Sequence, residues 1–221
     1  MKIVILMAGV GARLGHPFPK ALTPLRDGLT ILDHQLRNLA GANSDLIGVV
    51  GFKRELIMER HPELRYVENP RYDQTNTARS LACALEHVTD EDVLWLNGDV
   101  VFDGRIITEM RRRPQSGMAV VNGPVDDEAI KYQLDGRGRI RAVSKSVAGS
   151  PGEAIGINLV RANDLELLKD GLRRCSDQDY FERGIELAIG NGMDVRAVDV
   201  SRYPCVEVDF LQDLEAARRI L

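Results

Sequence analysis

The sequence contains few of the residues from which disulfide frameworks and zinc sites are built. It has three cysteines among 221 residues, Cys83, Cys175 and Cys205, which are far apart and form no Cys-x-x-Cys pair. An odd number at such spacing argues against a disulfide framework and against a thiolate zinc site. The four histidines are scattered, and none occurs at the spacing of a His-Glu-x-x-His helix. We therefore expect reduced cysteines with structural roles and no zinc centre.

Excess positive charge and long apolar runs are also missing. Lysine and arginine number 29 against 33 aspartates and glutamates, so the formal net charge is −4 and the pI is about 5.6. This balance argues against binding to nucleic acid or to an anionic membrane face. No apolar run is long enough to span a bilayer, and the start of the chain lacks the features of a secretory signal. We expect a cytoplasmic protein without nucleic-acid or membrane partners.

Short apolar segments alternate with helical patterns through the first half of the chain. Mostly apolar runs bounded by polar or glycine residues are typical of strands buried on both faces of a sheet. Strands that alternate with helices predict an α/β fold with a doubly wound, mostly parallel sheet flanked by helices. The predicted strands of this part are 3–7, 47–50, 66–67 and 93–96, and the predicted helices are 29–39, 53–60 and 77–87.

Beyond residue 101 the pattern changes. Residues 129–134 and 140–144 surround the turn sequence Asp135-Gly136-Arg137-Gly138 and predict a β-hairpin rather than a crossover unit. No linker rich in Pro, Gly or Ser interrupts the chain, so we expect one domain over residues 1–221. The other predicted strands are 118–121, 154–160, 195–200 and 206–208, and the other predicted helices are 106–112, 164–172, 180–189 and 210–221.

A glycine loop with two nearby cations follows the first predicted strand. Gly9 and Gly11 allow backbone N–H groups to approach phosphate oxygens closely. A Walker A loop is excluded because Lys20 follows proline and precedes alanine. A dinucleotide fingerprint is disfavoured because Leu14 replaces the third glycine. Arg13 and Lys20 could together neutralise a triphosphate and a phosphate nucleophile; the alternative is a plain strand–turn–helix connection with surface cations.

Three carboxylates are candidate metal ligands. Asp99 follows a buried strand, and the carboxyl ends of parallel strands form the ligand crevice. Glu207 and Asp209 are two residues apart on a predicted strand, so they share a face and can converge on one hard cation. The alternative is that Asp99 caps the following segment and that the other two are edge-strand charges.

These motifs occur together with others in an order that indicates a family. Each motif alone is a weak signal. Taken together, in this order along the chain, the motifs resemble those of the nucleotidyltransferases that join an NTP to a phosphorylated sugar, polyol or amino alcohol. The small cytidylyltransferases for phosphocholine, 2-aminoethylphosphonate or inositol phosphate are the most similar subgroup. The motifs are Ala8-Gly9-x-Gly11-x-Arg13, Pro19-Lys20, Asn69-Pro70, 76–81, 96–99, 128–131, Gly138-Arg139-Ile140, Ser144-Lys145, 152–157 and Glu207-Val208-Asp209.

The resemblance implies a fold, partners and a cofactor. It implies a single Rossmann-like nucleotidyltransferase domain in which residues 1–125 mainly bind nucleotide and residues 126–221 mainly bind the acceptor. The implied partners are CTP and a small acceptor that bears a phosphate or phosphonate. The implied cofactor is Mg²⁺, held by Asp99, Glu207 and Asp209. The oligomeric state is not readable from the sequence, and a homodimer stays open.

The resemblance also implies roles for individual residues. The acceptor oxygen would attack the α-phosphorus of the NTP and pyrophosphate would leave, with no protein nucleophile. Arg13 would hold the β- and γ-phosphates, Lys20 would lie near the α-phosphate, and Lys145 would bind the acceptor phosphate. The implied nucleotide-binding residues are Ala8, Gly9, Gly11, Arg13, Lys20, Thr77, Ser80 and Asp99, and the implied acceptor-binding residues are Lys131, Lys145, Glu153, Asp179 and Tyr180.

The acceptor is the least determined part of this prediction. Asp179 could pair with a cationic head group and Tyr180 could offer its ring face, although Asp179 is equally suited to cap a helix. Aromatic residues make up only 5% of the chain, which argues against a full aromatic cage. This favours 2-aminoethylphosphonate or a similar phosphonate over phosphocholine, with inositol phosphate or sugar 1-phosphate next. A molybdopterin guanylyltransferase, a sugar-nucleotide-dependent glycosyltransferase and a non-catalytic nucleotide sensor are the remaining alternatives.

Overall fold

A mixed β-sheet runs through the protein, which is seen here in a computed structural model that describes residues 1–11, 14–15, 18–42 and 45–221. Helices lie on both faces of the sheet. The strands are β1 (Lys2–Leu6), β2 (Asp45–Val50), β3 (Arg65–Glu68), β4 (Val93–Asn97), β5 (Val100–Phe102), β6 (Ser116–Asn122), β7 (Lys131–Leu134), β8 (Ile140–Ser144), β9 (Gly152–Val160), β10 (Val195–Asp199) and β11 (Cys205–Glu207). The helices are α1 (Ile31–Leu39), α2 (Arg54–Arg60), α3 (Thr77–Leu85), α4 (Arg105–Arg112), α5 (Leu165–Arg173), α6 (Phe181–Gly190) and α7 (Leu211–Ile220).

The strand order of the sheet is β10-β6-β9-β4-β1-β2-β3. β1 pairs in parallel with β2 and β4, β2 with β3, and β6 with β10, which confirms the predicted mostly parallel sheet. β9 is antiparallel to both β4 and β6, a feature that its local sequence did not indicate. The predicted hairpin is confirmed as β7 and β8, and β7 also pairs with β9.

The apolar residues of β1 explain why the sheet is covered on both faces. Val4 and Leu6 belong to one buried cluster, whereas Ile3 and Ile5 belong to a second. Successive side chains of a strand point to opposite faces, so a continuous apolar run requires helices on both sides. The predicted strand is an interior strand of the sheet, between β4 and β2, and its carboxyl end leads into the glycine loop.

A short two-stranded ribbon brings the C-terminal carboxylates to the edge of the sheet. β5, which the sequence did not predict, pairs antiparallel with β11, so that Glu207 lies opposite Val100. The amide of Val208 donates a hydrogen bond to the carbonyl oxygen of Asp99 at 3.0 Å. The strand predicted at 206–208 thus begins one residue earlier, and its pairing places it beside Asp99.

The helix boundaries differ from the predicted ones by one or two residues. α3 ends at Leu85 rather than at residue 87, and α6 begins at Phe181 rather than at residue 180. α1 begins after Thr30, whose side chain forms a capping box with Asp33. Within the described ranges, none of the helices has the length and apolar character needed to cross a membrane.

Candidate active site

A cavity of about 440 Å³ opens at the carboxyl ends of β1 and β4. Its wall combines the glycine loop, the starts of α3 and α6, the β7–β9 region and the end of β11. This is the edge at which α/β sheets bind ligands. The lining residues with polar or charged side chains are Lys20, Asn76, Thr77, Asn97, Asp99, Glu128, Lys145, Tyr180, Glu182, Glu207 and Asp209.

The glycine loop supplies one wall of the cavity. Gly9 and Gly11 line it, as the sequence predicts. Gly11 has φ +61°, and a Cβ atom there would lie 3.0 Å from the Cβ of Lys20, so glycine leaves room for the lysine to pass. Ala8 does not line the cavity: it is buried, and its carbonyl oxygen accepts a hydrogen bond from the amide of Phe52. Arg13 lies outside the described residues.

Lys20 lies between two carboxylates on the cavity wall. Its Nζ is 2.7 Å from Asp99 Oδ2 and 2.5 Å from Asp209 Oδ1, and its side chain is only 13% exposed. Burial by itself would lower the pKa of Lys20, but the two carboxylates outweigh it and raise the pKa. Lys20 is therefore a fixed positive charge at the ligand-binding edge of the sheet.

The carboxylates themselves fit a divalent cation as a pair rather than as a trio. In the described part of the chain no group of three or more His, Cys, Asp or Glu side chains is close enough to hold a metal ion, so the structure does not bring Asp99, Glu207 and Asp209 together as one three-carboxylate cluster, and their joint metal binding stays a prediction. Asp99 Oδ1 is buried and has no hydrogen-bond partner among the described residues, which leaves it as a potential metal ligand. Asp209 shares the Lys20 cation with Asp99. Two carboxylates suffice for Mg²⁺, which usually keeps waters and substrate phosphates as its other ligands.

Glu207 has a different environment from the other two carboxylates. Its Oε1 accepts a hydrogen bond from Asn97 Nδ2 at 3.3 Å. Although one side faces the cavity, surrounding protein atoms and the neighbouring Asp99 and Asp209 raise the pKa of Glu207 to about 8. Glu207 therefore lines the site without completing a three-carboxylate cluster.

The two residues predicted to bind the base from α3 lie in different places. Thr77 lines the cavity, and its Oγ1 accepts a hydrogen bond from the amide of Phe181 at 3.0 Å. Ser80 does not line the cavity: it is buried, and its Oγ accepts a hydrogen bond from Asn69 Nδ2 at 3.0 Å. Because α3 turns the Ser80 side chain into the protein, the structure does not bring Ser80 to the cavity together with Thr77.

Lys145 and Tyr180 meet on the opposite wall of the cavity. Lys145 Nζ is 2.8 Å from Glu128 Oε2 and lies 5.4 Å from the centre of the Tyr180 ring. Both residues line the cavity, and their contact with an acceptor stays a prediction. Glu128, which belongs to one of the family motifs and has no role implied by the resemblance, lines it too.

Lys131 and Glu153 do not line the cavity, although the resemblance places both at the acceptor. They lie opposite each other where β7 pairs with β9. Lys131 Nζ donates a hydrogen bond to the carbonyl oxygen of Lys145 at 3.2 Å, so it supports the backbone of that residue. Burial and the nearby Asp126 raise the pKa of Glu153. The structure thus places both residues next to the cavity wall rather than on it, and their contact with the acceptor stays a prediction.

Glu182, rather than Asp179, provides the acidic side chain at the start of α6. Asp179 does not line the cavity, and its carboxylate accepts a hydrogen bond from the amide of Ser176 at 2.7 Å. Glu182 lines the cavity and is only 6% exposed, and its buried Oε2 finds no hydrogen-bond partner in the part of the chain that the structure describes. Burial raises the pKa of Glu182 to about 7, against the opposing effect of the Lys145 charge. Glu182 is two residues after Tyr180 in the sequence, but the sequence does not indicate which acid faces the cavity. The residue at which α6 begins decides this.

Comparison with known proteins identifies the chain. Residues 3–181 match the MobA-like NTP transferase domain. The sequence is 32% identical over 234 residues to CMP-5'-(3-aminopropyl)phosphonate synthase from Streptomyces rubellomurinus, covering 95% of this chain and 37% of that protein. The chain therefore spans little more than a third of the length of this curated relative.

Two solved structures have the same fold at low sequence identity. The CTP:phosphocholine cytidylyltransferase from Streptococcus pneumoniae superposes with a TM-score of 0.80 at 18% identity, covering 99% of this chain and 98% of that one. The inositol-1-phosphate CTP transferase from T. maritima gives a TM-score of 0.80 at 18% identity, covering 99% and 95%. Both likenesses confirm the predicted fold class.

The family match places the chain in the nucleotidyltransferase class, whose members are enzymes that transfer nucleotides. Within that class, the chain belongs to the family of MobA-like NTP transferase domains, the match to which covers residues 3–181. The resemblance predicted from the motifs is thereby confirmed. The division into nucleotide and acceptor halves, the cytoplasmic location and the homodimer stay predictions.

Proposed function

We propose that the protein transfers CMP from CTP to a small phosphonate or phosphorylated alcohol that carries an amino group. An oxygen of the acceptor's phosphonate or phosphate attacks the α-phosphorus of CTP, and the bond from that phosphorus to the β-phosphate oxygen breaks as pyrophosphate leaves. No covalent protein intermediate is needed. The name of the relative from Streptomyces rubellomurinus contains the same parts, a CMP group, a phosphonate and an amine.

The nucleotide side of this proposal depends on the glycine loop and Lys20. Gly9 and Gly11 expose backbone to the cavity, which suits close approach of phosphate oxygens. Lys20 Nζ would meet the negative charge that gathers on the α-phosphoryl oxygens and the leaving group. Its two carboxylate partners hold this ammonium in place before the substrate arrives.

We propose Mg²⁺ as the cofactor, with Asp99 and Asp209 as its protein ligands. Nucleotidyltransferases of this family commonly use a divalent metal. The unpartnered, buried Oδ1 of Asp99 supports this assignment because a buried carboxylate oxygen without a partner is costly. When bound, Mg²⁺ would neutralise charge on the phosphate oxygens.

The buried carboxyl group of Glu182 is the observation that carries the proposed acceptor class. It lies on the cavity wall with an unpartnered oxygen, next to Tyr180 and within the field of Lys145. An ammonium group would provide the missing partner, while Lys145 would hold the phosphonate. Tyr180 is 42% exposed and offers only a single tyrosine ring, which suits a primary ammonium better than a quaternary one.

A pyrophosphate-release assay tests the proposed function. The four common NTPs should be combined with 2-aminoethylphosphonate, 3-aminopropylphosphonate, phosphocholine, inositol 1-phosphate and glucose 1-phosphate, with and without Mg²⁺. We expect turnover with CTP and an aminoalkylphosphonate that depends on Mg²⁺. Preference for GTP or for glucose 1-phosphate would contradict the proposal, and nucleotide binding without turnover would favour a sensor.

Replacing Glu182 with glutamine should selectively weaken the use of amino-bearing acceptors. We expect kcat/KM for an aminoalkylphosphonate to fall by roughly 10-fold or more, because an amide cannot provide the charge that pairs with the ammonium. Inositol 1-phosphate, which has no cation, should be affected little. Equal losses for both acceptors would show that Glu182 does not recognise the amine.

The same glutamate predicts a pH dependence of acceptor choice. Because the pKa of Glu182 is about 7, the charged form becomes dominant as the pH rises from 6 to 8. The ratio of kcat/KM for amino and neutral acceptors should therefore rise over this range in the wild type. The charges of Lys145 and Glu207 also act on Glu182, so Glu182→Gln is the control. In this variant the ratio of kcat/KM for the two acceptors should not change with pH.

Glu182→Gln should also stabilise the protein at alkaline pH. The pKa of the folded state, about 7, is above the ordinary value of 4.5, so wild-type stability falls as the pH rises from about 4.5 through 7. The variant lacks this loss. Its free energy of unfolding should therefore exceed that of the wild type by about 3 kcal/mol at pH 8 and should equal it near pH 4. Urea unfolding at both pH values measures this, and equal stability at pH 8 would contradict it.

A further inference from the structure

The first turn of α6 is capped by a side chain from another helix. Tyr180 occupies the N-cap position of α6, and its side chain makes no capping hydrogen bond. The amide of Phe181 donates to Thr77 Oγ1 of α3 at 3.0 Å instead. Because the first amides of a helix have no partner within the helix, Thr77 satisfies one that α6 leaves open.

The start of α3 is held in return by the segment that precedes α6. The amide of Asn76 donates to the carbonyl oxygen of Asp177 at 2.8 Å. The amide of Ala78 donates to the carbonyl oxygen of Asp179 at 3.3 Å. Each helix start therefore depends on the other for hydrogen bonds, and the two starts form one junction on the cavity wall.

This junction determines where the side chains at the start of α6 lie. Phe181 is 1% exposed and packs edge-on against Trp95, with ring centres 5.7 Å apart. Its neighbours Tyr180 and Glu182 both line the cavity. The bond from Thr77 to the Phe181 amide thus fixes the backbone between the two side chains that would face an acceptor.

We propose that Thr77 is a positioning residue for acceptor binding: its hydroxyl oxygen holds the start of α6 so that Tyr180 and Glu182 face the acceptor. This assignment rests on the proposed function and differs from the base contact that the family resemblance implies for Thr77. The hydroxyl oxygen accepts from the Phe181 amide, between the two side chains that would face the acceptor, whereas the resemblance implies that α3 contacts the nucleotide.

Kinetics of three variants test this role. Thr77→Val keeps the shape of the side chain and removes its hydroxyl, Thr77→Ser restores the hydroxyl, and Thr75→Val is the matched control. The Thr75 hydroxyl bonds within its own loop, to the Arg71 carbonyl and Asn69. Thr77→Val should raise the acceptor KM roughly 5- to 10-fold, as loss of one hydrogen bond predicts. The CTP KM should change less than about 2-fold, and Thr77→Ser should resemble the wild type.

Two results would overturn the assignment. A rise in the KM for CTP with an unchanged acceptor KM would place the hydroxyl on the nucleotide. A lower Tm without any change in either KM, or an equal effect of Thr75→Val on the acceptor KM, would show a merely structural role.

Hydrogen exchange without substrates separates this inference from the proposed function. The amide of Phe181 should exchange faster in Thr77→Val than in the wild type, whatever the substrates are, because its acceptor is gone. If the wild type shows no cytidylyltransferase activity while this amide responds, the proposed function fails and the capping contact stands. If activity is present but the amide and the acceptor KM do not change, the positioning role fails.

Discussion

Replacing Asp99 with asparagine is expected to lower kcat by at least about 100-fold while leaving the fold intact. The side chain keeps its size but loses the charge that pairs with Lys20 and that would hold the metal. Asp209→Asn should have a comparable effect, since Asp209 is the second carboxylate on the same ammonium. Steady-state pyrophosphate release at saturating CTP and acceptor measures both losses, and the Mg²⁺ concentration for half-maximal rate should rise in each variant.

Asp103→Asn is the matched control for these carboxylates. Asp103 follows β5 closely, but its carboxylate pairs with Arg105 and does not line the cavity. Its replacement should leave kcat within about 2-fold of the wild type. If Asp99→Asn or Asp209→Asn turns over like the wild type and the Tm of both variants is unchanged, the carboxylate pair has no role in catalysis.

Replacing Lys20 with methionine is expected to reduce kcat by roughly 100- to 1,000-fold, with a much smaller change in CTP affinity. Negative charge on the α-phosphoryl oxygens and leaving group increases toward the transition state, so a fixed ammonium matters more there than in the bound substrate. Methionine also leaves Asp99 and Asp209 facing each other without their shared cation. Single-turnover kinetics and CTP binding by calorimetry separate the two effects.

Lys2→Met controls for the loss of a paired lysine elsewhere in the protein. Lys2 begins β1 at the opposite end of the strand from the glycine loop, and its Nζ is 2.6 Å from Asp45 Oδ2. Its removal should leave kcat nearly unchanged, because the ion pair lies away from the cavity. A Lys20→Met enzyme with unchanged kcat and a raised KM for CTP would show that Lys20 contributes only to binding.

Lys20 and Asp99 illustrate how far motifs could predict the site. Both follow features with local signals: a glycine loop after an apolar strand, and an acid after another apolar strand. Parallel strands end at one edge of the sheet, so their proximity was predictable. The position of Asp209 could not be predicted from local signals, because β11 is held at this edge by its antiparallel pairing with β5. β5 is three residues long, too short for a periodic pattern to indicate it.

Asp179 and Glu182 show where residue type alone was insufficient. Both are acids near an aromatic residue at the start of a predicted helix, and either could have faced an acceptor. The helix begins at Phe181, which turns Glu182 inward and leaves Asp179 to close the preceding turn. Successive residues of a helix project about 100° apart around its axis, so which acid faces the cavity depends on where α6 begins and how it packs, and a predicted boundary within one residue did not decide it.

The sequence by itself determined the α/β pattern, the interior β1 strand, the hairpin, the glycine loop and the family, because these depend on local periodicity, turn residues and the order of motifs. Only the tertiary structure decided that β9 runs antiparallel through the sheet, that Lys20 lies between Asp99 and Asp209, that Ser80 and Glu153 stay behind the wall, and that Thr77 caps α6. The reason is that each of these depends on contacts between segments far apart in the chain. Such contacts are set by how the helices and strands pack together, and local composition does not encode them.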